Sequence, residues 1–180
     1  MSAGRAARAR PAPLSAMRLL VLDVDGTMTD GRLYYGAAGE LGKSFHARDG
    51  FGIKAVLAAG LGVAVISGRH SPATEQRCLE LGIAHVLLGI TDKGIALGQL
   101  LESLALTPAQ CIAVGDDDGD LPMLRRVGVA VAVADAHPSV LAVAHRRTRL
   151  AGGAGAVREV CDWLLAAQGP RRTAHARRRS

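Results

Sequence analysis

The chain has 180 residues, enough for one ordinary domain and too few for two comfortable ones. Hydrophobic residues make up 49% and aromatics only 3%, so a core must come from Ala, Val, Leu and Ile; no apolar run reaches the roughly 18 residues of a membrane span. The net charge of +6 sits at the ends, in Arg5, Arg8 and Arg10 and in Arg171, Arg172, Arg177, Arg178 and Arg179; residues 11–170 are left at −2, which argues against a nucleic-acid-binding domain.

Residues 1–16 and 170–180 carry those arginines among alanines, with little to bury, and are expected to be disordered basic tails around a domain at 17–169. The first residues lack the apolar stretch of a secretory signal, so a cytoplasmic protein is expected. Cys78, Cys111 and Cys161 show no metal-ligand spacing and read as small buried apolar residues.

Arg18–Val24 reads as a strand, apolar almost throughout. Next comes a segment of another kind. Residues 32–35 and 43–46 flank a glycine-bearing turn at 36–42, which predicts a β-hairpin. Four of the five aromatics lie between Tyr34 and Phe51. A lone hairpin is marginal in water, so this one is expected to pack on something, with a second subunit the natural candidate. Helical spacing predicts a helix over 49–59, with Gly60 as its stop. Gly62–Ile66 is a second buried strand. Ser71-Pro72 caps a helix running to Leu81. A strand at 84–88, a helix at 92–104, a strand at 111–114, a short helix at 121–127, a strand at 129–133 and a last helix at 155–167 complete the alternation. Strands that are continuous apolar runs, with helices between them, predict a three-layer α/β fold: a mostly parallel Rossmann-like sheet with an inserted hairpin and no large cap domain.

In such sheets ligands bind beyond the carboxyl ends of the strands. The reactive side chains fall there. The first strand ends in Asp23-Val24-Asp25-Gly26-Thr27, the second in Ser67-Gly68-Arg69, and the fourth in Gly115-Asp116-Asp117-Asp118-Gly119-Asp120; Lys93 opens the helix after the third. Clustered carboxylates repel one another unless a cation joins them. A hard divalent ion with oxygen ligands and a phosphate substrate suits magnesium. Lys93 and Ser67 offer donors for phosphate oxygens.

Asp23-x-Asp25-Gly26-Thr27, Ser67, Lys93 and Gly115-Asp116-Asp117, in that order, resemble the four motifs of the haloacid dehalogenase-like superfamily. Asp30-Gly31, Arg48-Asp49-Gly50-Phe51-Gly52-Ile53, residues 131–138 and residues 151–160 resemble, more narrowly, the 3-deoxy-D-manno-octulosonate 8-phosphate phosphatase family. The resemblance implies a magnesium-dependent phosphomonoesterase in lipopolysaccharide inner-core synthesis, acting as a homotetramer without a large cap. It implies Asp23 as the nucleophile that becomes an aspartyl-phosphate, and Asp25 as the acid and then the base. Ser67 and Lys93 would hold the transferring group, and magnesium would lie on the Asp23 carboxylate, the Asp25 backbone carbonyl and Asp116. Asp117 and Asp120 would orient waters or Lys93. It implies substrate contacts from His46, Arg48, Asp49, Gly50, Lys54, Arg69 and Arg77, besides Asp25 and Lys93. Gly152-Gly153-Ala154-Gly155 lacks the lysine of a nucleotide-binding loop and reads as a hinge or mobile flap. His137, before Pro138, reads as a turn residue.

Two other readings compete. One is a phosphatase for a nine-carbon sialic-type sugar acid phosphate, which shares the charge pattern. The other is a phosphoacceptor receiver domain, in which the acidic pair precedes the phosphoacceptor; here Asp23-x-Asp25 comes first and the acidic cluster last.

Overall fold

A computed structural model describes residues 10–169. The expected disorder of 1–9 and 170–180 lies outside the described residues. The inner end of the expected N-terminal tail is ordered: Leu14–Ala16 form a 3-10 turn against the last helix, and Ala12 N–H donates to Gly128 O. Ala12, Leu14 and Ala16 pack against the core.

Six parallel strands form the sheet, in the order β5-β4-β1-β6-β7-β8. They are β1 (Leu19–Leu22), β4 (Gly62–Ile66), β5 (His85–Leu87), β6 (Cys111–Gly115), β7 (Val129–Ala132) and β8 (Arg146–Arg147). β1 and β6 are buried at every residue, as their continuous apolar sequences require for central strands. Helices α1 (Ala47–Ala58) and α6 (Ala156–Gln168) pack together, as do α3 (Lys93–Ser103) and α4 (Leu121–Leu124). α2 (Pro72–Leu81) lies beside α1, and α5 (Pro138–Val143) beside β7.

Caps set the helix starts. Asp92, expected inside a helix, instead caps α3: its Oδ1 accepts Gly94 N–H at 2.8 Å and Ile95 N–H at 2.9 Å. α1 begins two residues before the predicted Asp49, because His46 Nδ1 accepts the Arg48 N–H at 3.2 Å. α5 and β8 were not expected. His137 supplies the cap of α5, accepting from Ser139 N–H, and Pro138 follows it at the first turn.

The hairpin is tighter than predicted. β2 (Tyr34–Gly36) pairs antiparallel with β3 (Gly39–Gly42), leaving only residues 37–38 as the turn. Its Tyr34, Tyr35 and Leu41 are exposed, and so is Phe51 on α1. Phe45, at the base of the hairpin, packs against the core instead.

Candidate active site

β1 and β6 run side by side, so the loops that follow them meet. After β1 the chain closes a tight turn in which the Thr27, Met28 and Thr29 amides all donate to Val24 O. Gly26 sits in it at φ +89°, and a Cβ there would lie 2.1 Å from Asp116 Oδ2. Only glycine satisfies both the backbone and the space. The segment after β8 presses on the same turn. A Cβ on Gly152 would lie 1.7 Å from Gly26 O, and the Gly153 N–H donates to Thr27 O. Gly152 and Gly153 are therefore packed against the turn that bears Asp25, where a hinge or mobile flap was expected. A side chain could not be accommodated at that approach.

The acidic loop after β6 is organised by Asp120. Its Oδ2 accepts the amides of Asp116, at 2.9 Å, and Asp117, at 3.3 Å. Its Oδ1 accepts from Lys93 Nζ at 2.6 Å. Lys93 also donates to Asp23 Oδ1. Asp23 is 4% exposed, Asp120 2% and Lys93 7%. A buried ammonium left with no carboxylate would cost about 3–5 kcal/mol, so Lys93, with two, is held between them and keeps a partner if either is lost. Thr27 Oγ1 donates to Asp116 Oδ1 at 3.2 Å. Ser67, buried at the end of β4, accepts the Arg69 N–H at 3.3 Å, which leaves its hydroxyl proton directed elsewhere.

Asp23, Asp116 and Asp120 bring carboxylate oxygens within 4.8 Å of one another. Burial first, then the neighbouring Asp120 charge, pushes Asp23 well above the ordinary carboxylate range, although Lys93 pulls it back. The same two causes push Asp116 up to about 6. Such a cluster is short of positive charge. Both oxygens of Asp120 are already occupied, which leaves Asp23 and Asp116 as the carboxylates of the cluster that could offer an oxygen to a hard cation. The Lys93 pKa is affected in both directions: burial alone would lower it, but Asp23 and Asp120 together leave it raised and charged.

Residues 82–158 match the haloacid dehalogenase-like hydrolase family. The 3-deoxy-D-manno-octulosonate 8-phosphate phosphatase KdsC of Escherichia coli (strain K12) is 52% identical over 153 residues, covering 85% of this chain and 81% of its own. The chain belongs to that phosphatase family. Among solved structures, the cobalt-bound phosphatase from Haemophilus influenzae superposes with a TM-score of 0.85 at 43% identity, covering 87% of this chain and 91% of its own. The Moraxella catarrhalis phosphatase, in complex with magnesium ion, phosphate ion and KDO, gives 0.84 at 37% identity, covering 86% and 89%.

The residues expected to contact substrate in this phosphatase do not all converge. Asp25 and Arg69 are neighbours, with Arg69 Nε 3.8 Å from Asp25 Oδ2. Arg77 lies beside Phe45, its guanidinium 5.9 Å from the ring centre, and pairs with Glu80 at 2.8 Å. Gly50 makes room for it, since a Cβ there would meet Arg77 Nη2 at 2.3 Å. His46 is occupied as the cap of α1. Asp49 is buried, and its Oδ1 accepts the Arg158 N–H at 2.7 Å, so its carboxyl ties α1 to the start of α6. Burial raises its pKa against that bond. Arg48 lines a hollow of about 280 Å³ with Arg149, Arg158 and Trp163. Lys54 is exposed on α1.

Sequence reading missed Lys43. Its ammonium donates to Asp25 Oδ1 and lies 3.6 Å from Glu40 Oε2. The signal was weak: one lysine in a hairpin, 18 residues from its partner, with nothing periodic to mark it.

Proposed function

We propose that this phosphatase hydrolyses 3-deoxy-D-manno-octulosonate 8-phosphate to the free sugar acid and inorganic phosphate. The observation that carries the reading is the buried Asp23–Lys93–Asp120 trio beside Asp116. It supplies a nucleophile, a fixed cation and a close acidic pair at one point, and relatives at 52% identity bear the name of that activity.

Asp23 attacks phosphorus. The P–O bond to the sugar breaks, and Asp25 gives its proton to the departing oxygen. Water then attacks the Asp23-bound phosphoryl group, Asp25 takes the water's proton, and the Asp23 carboxylate is restored. Lys93 and Ser67 hold the non-bridging oxygens throughout. Magnesium, on the Asp23 carboxylate, the Asp25 backbone carbonyl and Asp116, would supply positive charge to the transferring group. Arg69 and Arg77 suit a substrate that carries both a carboxylate and a phosphate. His46, as the cap of α1, and Asp49 and Gly50 enter this reading by shaping the start of α1, while Arg48 and Lys54 enter it through the family resemblance alone. The setting would be cytoplasmic lipopolysaccharide inner-core synthesis.

The testing experiment is phosphate release from a panel of sugar phosphates. The eight-carbon sugar acid 8-phosphate should exceed the nine-carbon sialic-type 9-phosphate by about tenfold or more in kcat/KM, since one misfitted substrate group is worth about 1–3 kcal/mol. A chelator should abolish release and magnesium restore it. Preference for the nine-carbon ester would replace the substrate assignment and leave the chemistry intact.

A homotetramer belongs to the same reading. The exposed Tyr34, Tyr35 and Leu41 on a two-stranded ribbon support it, since among the described residues they leave a largely uncovered apolar surface, touched by Arg69 at Tyr35. Neighbouring hairpins would then exclude water from each other's sites. Replacing Tyr34 and Leu41 by Ser should give smaller species by light scattering, with raised KM and a folded core. A fully active double variant that is still a tetramer would remove the hairpin from the assembly.

A further inference from the structure

Lys43 follows β3 directly, and its side chain is 1% exposed. The ammonium is therefore out of water, where it requires anionic partners. It has two. Asp25 accepts through Oδ1, and Glu40 lies at 3.6 Å. Glu40 in turn accepts from the hydroxyl of Ser71, the residue that caps α2. Arg69 approaches the other oxygen of Asp25, and its guanidinium also donates to the Tyr35 hydroxyl. The hairpin thus meets the site through three polar contacts, and two of the groups involved converge on Asp25. The Asp25 side chain itself springs from a turn and is 20% exposed, so its own backbone leaves it rotational freedom.

We propose that Lys43 is a positioning residue for Asp25: docking of the hairpin carries its ammonium onto one carboxylate oxygen and fixes the direction of the other. The inference rests on the reading of Asp25 as the group that exchanges protons with the leaving oxygen and the attacking water. Proton transfer demands a heavy-atom approach of about 2.6–3.2 Å, so a carboxylate free to swing is a poor donor. Lys43 also lines a groove of about 440 Å³ with Phe45 and Arg77. A lysine there could instead hold the substrate's own carboxylate, and the two roles differ in what they do to kcat and KM.

The test is a double-mutant cycle on the magnesium-saturated full chain, using Lys43→Met, Asp25→Asn and the pair. Each is assayed on an alkyl phosphate of the sugar type and on p-nitrophenyl phosphate, whose leaving group needs no proton. Asp25→Asn should reduce kcat on the alkyl ester by about 10²-fold or more, and far less on the aryl ester. Lys43→Met should show the same leaving-group bias at about tenfold or more, with KM within about threefold. The pair should be no worse than Asp25→Asn alone, because a residue that acts through Asp25 has nothing left to act on. Lys43→Gln, whose neutral amide is one atom shorter and lacks the ammonium's charge, carries the same cycle should the Met variant lose its melting transition.

Additive losses, or equal losses on both esters, would overturn the proposal. A raised KM with unchanged kcat would overturn it in favour of substrate binding by Lys43. If Asp25→Asn itself shows no leaving-group bias, the role of Asp25 falls first, whatever Lys43 does.

Discussion

Asp23→Asn should leave a folded protein that neither releases phosphate nor takes it up covalently. The substitution keeps the shape of the side chain and one oxygen that can accept from Lys93. It removes the negative charge and the nucleophilic lone pairs. Lys93 retains Asp120 at 2.6 Å, so its ammonium keeps a buried partner. The lost carboxylate was itself raised well above its ordinary range by burial and by Asp120, so its removal relieves repulsion in the ion-free protein. The two effects oppose each other, and the melting temperature should stay within a few degrees. Turnover has no such compensation. Removing the nucleophile of a concerted site reduces kcat by about 10⁴-fold or more. Acid-quenched protein after exposure to labelled substrate should carry label in the wild type and none in the variant. A variant that forms the phosphoenzyme at the wild-type rate would remove Asp23 from the nucleophile's place.

The parts of the site nearest the sheet were legible in the sequence because burial dictates them. β1, β4 and β6 are apolar at nearly every position, which only a sheet covered on both faces allows. Once they are parallel, Asp23, Ser67 and Asp116 must share an edge. The hairpin was legible only as a hairpin. Gly36, Gly39 and Gly42 lie within its strands, and glycine carries no strand preference, so the pairing of Tyr35 with Glu40 could not be read. That pairing is what delivers Glu40 and Lys43 to Ser71 and Asp25. The contacts of Asp49 and Gly152 were illegible for a different reason. A buried carboxyl on α6 amides and a glycine against Gly26 O are contacts between segments more than 100 residues apart. Neither leaves a local pattern. α5 and β8 span six and two residues, too few for any period to emerge.

Asp116→Ala should weaken magnesium binding and turnover together, by about 10²-fold or more, while Asp118→Ala changes neither beyond about twofold. The two residues stand two apart and differ in every physical respect. Asp116 shares the enclosed cluster with Asp23 and Asp120 and accepts from Thr27. Asp118 is exposed and accepts from the Ser139 hydroxyl beside His137. Calorimetric titration of magnesium separates them directly. A second measurement needs no turnover. Burial and Asp120 push Asp116 up to about 6, above the ordinary 3.8 of an unfolded chain. A raised carboxyl contributes stability below about 4 and loses it as pH rises through about 6. The magnesium-free wild type should therefore lose melting temperature across that window, and Asp116→Ala should lose less. Magnesium should restore the wild type above pH 7 and leave the variant nearly unmoved, because binding to the folded state alone stabilises it. Parallel melting curves for the two proteins, with and without magnesium, would show that Asp116 neither feels the cluster nor holds the ion. An equal loss on mutating Asp118 would move the ligand to the exposed side of the loop.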